Sequence, residues 1–394
     1  MKKYIKKIFK YPIVGVFIAI LIMSAASWCD TEKKIMIIMK KDSTQQTADI
    51  KTNEENKKDD DKNNRLSERG LISFVDSSIK SVNSLWTISH NSLFSKVDSL
   101  FTYKMVGEIV NSQVLNGSDK WLFYKSKTDG DSIADYEGTN SFTTDELKQA
   151  IDKSKITQNE VEKRGIKFEI TIIPNKENIY SEYMPETYKH SEISRTDNLI
   201  KKLKENGVNV VSPKQELLDN HINYQLYYYY DTHWNQLGAY IGVKDVLAEW
   251  NIQMPNLPEC SIHKKNLREN YHYCGVDDLA QMVGLISLFD DEIEYEVDKT
   301  ISMDWKRFET EQNNFQISHF TNKKARQHEK ILLVGDSFRS SMIPSLSQIF
   351  SDVYVVHRDY YSENMLDEIG PDYLIAEYVE RYSEEILTID DLVE

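Results

Sequence analysis

Ile331-Leu-Leu-Val-Gly-Asp-Ser-Phe338 is the stretch from which the rest of the chain is best read. Four consecutive apolar residues fit a strand buried on both faces, and Gly335-Asp336-Ser337 interrupts them before a helical pattern that runs through Leu346 to Phe350. A serine on a strand-to-helix turn holds its Oγ above the sheet. Backbone amides at the helix start then face any oxyanion formed there, and Gly335 permits the tight turn. Asp336 and Ser337 also suit simple helix capping, so this motif alone leaves catalysis and capping both open.

Outward from that turn, apolar β-branched segments alternate with helical ones. Strands are expected at Ile166 to Ile173, Val208 to Val211, Ile331 to Val334, Val353 to Val356 and Tyr373 to Val379. Helices are expected at Asp145 to Arg164, Asp197 to Asn206 and Trp234 to Trp250. In the last, Leu237, Tyr240, Ile241, Val246, Leu247 and Trp250 recur at helical spacing and predict one buried face. This alternation is the signature of an α/β domain with a largely parallel central sheet, in which ligands gather at the carboxyl ends of the strands. The stretch from about Asn251 to His328 has weaker strand order and reads as an insertion near the site.

The second constellation is Asp231-Thr-His-Trp-Asn235, after the tyrosine run Tyr227 to Tyr230. In an extended segment residues two apart face the same way, so Asp231 and His233 are directed into one cleft. A hydroxyl nucleophile needs a base, and His233 has the unperturbed proton affinity for that role. A carboxylate at its other ring nitrogen fixes the tautomer. The alternative is that Asp231 or Thr232 caps the following helix while His233 packs beside Trp234. A metal site lacks a cluster of further His or Cys ligands in the sequence, so no metal and no cofactor is expected.

Lys2, Lys3, Lys6, Lys7 and Lys10 precede an apolar run from about Tyr11 to Trp28. Such a run is a secretory signal or one spanning helix, and the lysines before it predict a cytoplasmic tail at 1–10 with everything after about residue 30 outside the membrane. Bulky Trp28 precedes Cys29 where a lipoprotein cleavage site needs a small residue, so we read 11–28 as an uncleaved transmembrane anchor. Residues 29–66 are rich in Lys, Asp, Glu, Asn, Thr and Gln and cannot bury enough surface to fold, which makes them a polar tether. The globular remainder, 67–394, is one catalytic domain.

The 394 residues carry a formal charge of -15, which repels phosphate backbones and excludes nucleic acid as a natural partner. The 23 tyrosines suit sugar faces as well as ordinary packing. Three cysteines are few for a disulfide scaffold; Cys260 and Cys274 either pair across a short loop or stay as two buried thiols.

Taken together and in order, the motifs resemble one family. Asn116-Gly-Ser-Asp-Lys-Trp-Leu-Phe-Tyr124, Tyr136-Glu-Gly138, Ile173-Pro-Asn-Lys-Glu177, Asp231-Thr-His-Trp-Asn235, Asp278-Leu-Ala280, Gly335-Asp-Ser-Phe338, and Pro371-Asp372 through Glu380-Arg381 are similar to the AlgX/AlgJ-type polysaccharide O-acetyltransferases. The resemblance implies an SGNH-hydrolase-like three-layer sandwich preceded by one transmembrane helix. It implies Ser337 as nucleophile, His233 as base and Asp231 as its orienter. It further implies a polysaccharide acceptor at the cell surface or in the periplasm, and a multipass membrane-bound O-acyltransferase that supplies acetyl groups. It does not itself identify an oxyanion side chain. Asn175 is the candidate, with Gly335 beside it and Lys176 as a substrate or structural contact, and turn chemistry after Pro174 is the alternative. No further carbohydrate-binding module is evident after Arg381, which favours the tethered AlgJ-like arrangement. An acetyl-esterase of the same glycans and a non-catalytic glycan-binding assembly protein are the competing functions.

Overall fold

The computed structural model describes residues 111–266, 277–284, 291–297, 304–309 and 316–393, all within the compact unit Ile88–Glu394. The expected tail, anchor, tether and start of the catalytic domain lie outside the described residues, as does Cys274. Among the described residues no helix is long and apolar enough to cross a membrane.

The chain begins with a small antiparallel pair, β1 (Val114–Asn116) and β2 (Leu122–Tyr124). Helix α1 (Ser132–Glu137) and α2 (Thr144–Lys163) follow; Thr143 and Glu146 form a capping box that starts α2. Then come β3 (Lys167–Ile173), the short α3 (Lys176–Ile179), and α4 (Arg195–Glu205), which opens on a Ser194–Asp197 capping box. Next are β4 (Val210–Val211), α5 (Lys214–Asn220) and α6 (Gln236–Glu249). The expected insertion contains β5 (Ile262–Asn266), α7 (Asp278–Met282), β6 (Ile293–Val297), β7 (Asp304–Glu309) and β8 (Gln316–Thr321). The chain ends with β9 (Gln327–Gly335), α8 (Ile343–Ile349), β10 (Phe350–His357), α9 (Asn364–Ile369), β11 (Tyr373–Val379) and a 3₁₀ run over Glu380–Leu392.

The main sheet has seven strands in the order β4-β3-β11-β9-β10-β8-β7. The first five are parallel, whereas β8 and β7 pair antiparallel, so the sheet is mixed. The expectation of a largely parallel sheet missed these two because they fall in the weakly patterned insertion. The other insertion strands, β5 and β6, form a separate antiparallel pair.

Alternation along the strands builds two cores. Ile331, Leu333, Val353, Val355 and Ile375 face one way, onto α6 and α8, while Leu332, Val334, Val356, Leu374 and Ala376 face the other, onto α2, α4, α9 and the 3₁₀ run. This is a three-layer sandwich. Helix α6 is buried on almost every side, not on one stripe: Gly242 lies against the Trp234 indole and Gly238 against the Leu226 carbonyl, where a Cβ would come within 2.6 and 2.4 Å.

One buried strand residue makes a testable contribution. Glu169 on β3 is 3% exposed, and burial, then the charge of Glu249, push its carboxyl up to about 8 against the opposing Lys204. Its folded value lies above its unfolded one, so the folded chain binds this proton more tightly and stability falls as pH rises from about 4.5 to about 8. Glu169→Gln is expected to remove that fall and to stabilise the chain at pH 8 by up to roughly a few kcal/mol. Thermal melts of both chains between pH 5 and 8 check this. A difference that does not change with pH would show that the charge is not responsible.

Candidate active site

The carboxyl ends of β3, β11 and β9 lie side by side and bring Asn175, Arg381 and Ser337 to one edge of the sheet. At the end of β9, Asp336 caps the turn: its carboxylate accepts from the Phe338 amide at 2.9 Å and from the Val379 amide at 2.7 Å. A 3₁₀ turn, Ser337–Met342, separates the strand from α8 because Pro344 suits a helix start, not a helix interior. The turn leaves Ser337 exposed while Phe338 is fully buried.

Gly335 is required for a reason other than the one expected from sequence. Its φ lies outside the left-handed region, and a Cβ would meet the Glu377 carboxylate at 2.2 Å. It is a close-approach glycine beneath the turn. Glu377 accepts from the Asp336 amide at 3.0 Å; burial first, then the charge of Asp336, holds its carboxyl well above the usual range.

Asp231, Thr232 and His233 do not lie in an extended segment. Tyr227 bridges to Trp234 and the Tyr228 amide donates to the His233 carbonyl at 3.2 Å, so the motif is a closed loop. Within it the Asp231 and His233 side chains meet directly: Asp231 Oδ1 is 2.6 Å from His233 Nδ1, and Nε2 is 2.6 Å from Ser337 Oγ. Asp231 Oδ1 also accepts from the His233 amide at 2.9 Å, and Oδ2 from the amides of Asp277 and Asp278 at 2.6 and 2.9 Å. Asp231 is fully buried; burial alone would raise its carboxyl, but the His233 charge and hydrogen bond and the Asp277 and Asp278 amides outweigh it and hold the group at about 2. Burial disfavours charge on His233, and Asp231, then Asp278, outweigh it and raise the imidazole above its ordinary value.

The helix-cap alternative falls to Asn235, whose side chain accepts from the Leu237 and Gly238 amides at 3.0 and 3.1 Å. Trp234 ties the two motifs together, its indole N–H donating to the Phe338 carbonyl at 2.9 Å. The tyrosine run is mostly scaffold: Tyr227 donates to the Pro174 carbonyl at 2.6 Å, Tyr228 to Glu294 and Tyr230 to Asp291 at 2.7 Å.

Lys176 has the structural role of its two expected ones. Its buried ammonium donates to the carbonyls of Tyr228, Tyr229 and Asp231 at 2.9, 3.1 and 2.8 Å and so ties down the loop that carries His233. Burial lowers it to about 8 against Glu292, Asp278 and Asp231. Asn175 is 1% exposed; its amide donates to Glu380, its Oδ1 accepts from the Arg381 amide at 3.3 Å, and its Nδ2 meets no partner among the described residues.

Asp278 is the functional neighbour that sequence reasoning left without a role. Its carboxylate accepts from the Thr232 amide at 2.8 Å and the Thr232 hydroxyl at 2.5 Å, and it stands 3.8 Å from His233 Nδ1. Asp231, His233 and Asp278 thus gather ligand-type atoms within 4.8 Å of one another, a grouping the sequence concealed. Both Asp231 oxygens face N–H donors, which makes the group a hydrogen-bonded anion. Cys260 Sγ lies 3.2 Å from the Tyr240 hydroxyl.

Residues 114–356, more than half the chain, match the family described as SGNH hydrolase-like domain, acetyltransferase AlgX. The chain belongs to this AlgX family. No curated protein matches it. Among solved structures, a DHHW family protein from Eubacterium siraeum aligns with a TM-score of 0.52 at 15% identity, over 72% of this chain and 97% of that one. PatB1 of Bacillus cereus gives 0.48 at 12% identity, over 70% of this chain and 96% of that one. The O-acetyltransferase domain of Pseudomonas putida AlgJ gives 0.44 at 13% identity, over 71% and 98%. At 15% identity the likeness to the Eubacterium siraeum protein is one of fold alone.

Proposed function

We propose that this AlgX-family chain transfers acetyl groups to hydroxyls of a cell-surface or exported polysaccharide through an acyl-enzyme on Ser337. The observation that carries this reading is the unbroken relay from buried Asp231 through His233 to an exposed Ser337 hydroxyl. His233 Nε2 takes the Ser337 proton as Oγ bonds to the acyl carbon, then returns it to the departing group as the tetrahedral intermediate collapses. A sugar hydroxyl repeats the sequence in reverse, giving its proton to Nε2 and taking the acetyl group. The Asn175 Nδ2 group and the amide at the 3₁₀ start are our oxyanion donors, and an orphaned, buried N–H₂ just past the carboxyl end of β3, on the same sheet edge as Ser337, supports the first.

The same reading puts the domain outside the cell membrane, tethered through 11–28, with a multipass O-acyltransferase as the acetyl source. The purified chain, given an activated acetyl ester and a panel of oligosaccharides, is expected to accumulate acetylated sugar faster than free acetate. Free acetate alone would make the protein an esterase, and neither product would leave a glycan-binding role.

A further inference from the structure

The loop that holds His233 is clamped reciprocally. The amides of Asp277 and Asp278 hold the Asp231 carboxylate, while the Asp278 carboxylate holds the amide and hydroxyl of Thr232. Asp277 adopts φ 131°, a conformation that residues with a Cβ rarely take, so the surrounding contacts keep this turn against its own preference. A single carboxylate at Nδ1 would orient the imidazole. Here a second stands 3.8 Å from the same nitrogen, separated from it by the Thr232 hydroxyl, which is itself 3.3 Å from Nδ1.

We propose that Asp278 is a positioning residue of the acyl-transfer site, a second carboxylate that acts through Thr232 and through its own charge to favour the imidazolium form of His233. This rests on the triad reading given above. The imidazolium is the state formed each time an oxygen nucleophile gives up its proton, so a negative charge in the second position stabilises both transfer steps. The charges facing His233 are Asp231 and Asp278 on the Nδ1 side and Arg381, from the end of β11, which acts in the opposite sense. Those facing Asp278 are Asp231, His233 and, from α3, Lys176. Burial, then the Asp231 charge, raises the Asp278 carboxyl, so it takes up a proton at higher pH than Asp231 and adjusts the imidazole as it does so.

The test is the titration of His233 itself, followed by NMR on full-length chain carrying ¹³C-histidine, with the resonance assigned by its loss in His233→Ala. Asp278→Asn is expected to move that titration to lower pH, to carry the acidic limb of kcat/KM for an activated ester with it, and to lower kcat on the order of tenfold with KM little changed. Thr232→Val, which keeps both charges, should lower kcat while leaving the titration in place. In the unmodified chain the same resonance should show a second, smaller inflection in the acid range as Asp278 protonates. An unmoved titration in Asp278→Asn overturns the proposal, and so does a single-step curve in the unmodified chain if that variant fails to fold. Either result combined with lost ester turnover in Ser337→Ala removes the role of Asp278 alone. Retained turnover in Ser337→Ala removes the triad reading instead.

Discussion

Ser337→Ala is expected to lower acetyl transfer on the order of 10⁶-fold, the size of loss seen when the serine is taken from a comparable triad. Ser337 is exposed, and the turn is held by Asp336, Gly335 and Glu377, so its hydroxyl supports little of the fold. The melting temperature of the variant should match that of the parent. Mass spectrometry after brief exposure to an activated ester should find one acetyl group on the Ser337 peptide of the parent and none on that of the variant. Full activity in the variant, with an unacetylated peptide in the parent, would rule out the covalent route.

Asp231→Asn should lose about 10⁴-fold, and His233→Ala at least as much. The reason for the first is specific to this loop. The four N–H groups of His233 Nδ1, His233 N, Asp277 and Asp278 all point at the Asp231 carboxylate. An asparagine has one acceptor oxygen. Turned toward α7, that oxygen leaves the NH₂ facing Nδ1, which must then accept, so the proton moves to Nε2 and the ring no longer receives one from Ser337. Turned the other way, the NH₂ meets two backbone amides and the loop is destabilised. The groups act as one unit, so the double variant should lose little more than the worse single one. Rate constants for the parent, both singles and the double decide this, and losses that multiply would refute a shared relay.

Much of this was legible in the sequence because burial writes itself into apolar runs. Tyr373 to Val379 was read to the residue, and Ile331 to Val334 fell inside the longer β9, whose first residues are half-exposed and carry no apolar signal. The two motifs of the site were legible because an acid, a base and a nucleophile are scarce types at scarce spacings. What escaped was tertiary. Glu377 and Glu169 are acids in buried strands, an oddity visible in sequence, but nothing there says which neighbour each one meets. Asp278 lies 46 positions from Thr232, and its two-way exchange of hydrogen bonds with that loop has no local pattern. The closed loop around His233 was read as extended because period-two reasoning sees a strand where Lys176, far upstream, holds three carbonyls in a bend.

The place of β11 in the sheet has a consequence for how the molecule comes into being. The last strand in the chain lies inside the sheet, between β3 and β9, and its first residue meets a partner 206 positions earlier. Until β11 docks, β3 and β9 each keep an open edge, and the loop to be closed is among the longest the domain offers. Folding is expected to be slow and late, with both apolar layers and the reactive corner forming in one terminal event. Asn175 follows β3 and Ser337 follows β9, so the two reach the same edge of one sheet only when β11 slots in between, and the acyl-transfer corner is assembled by that single docking step.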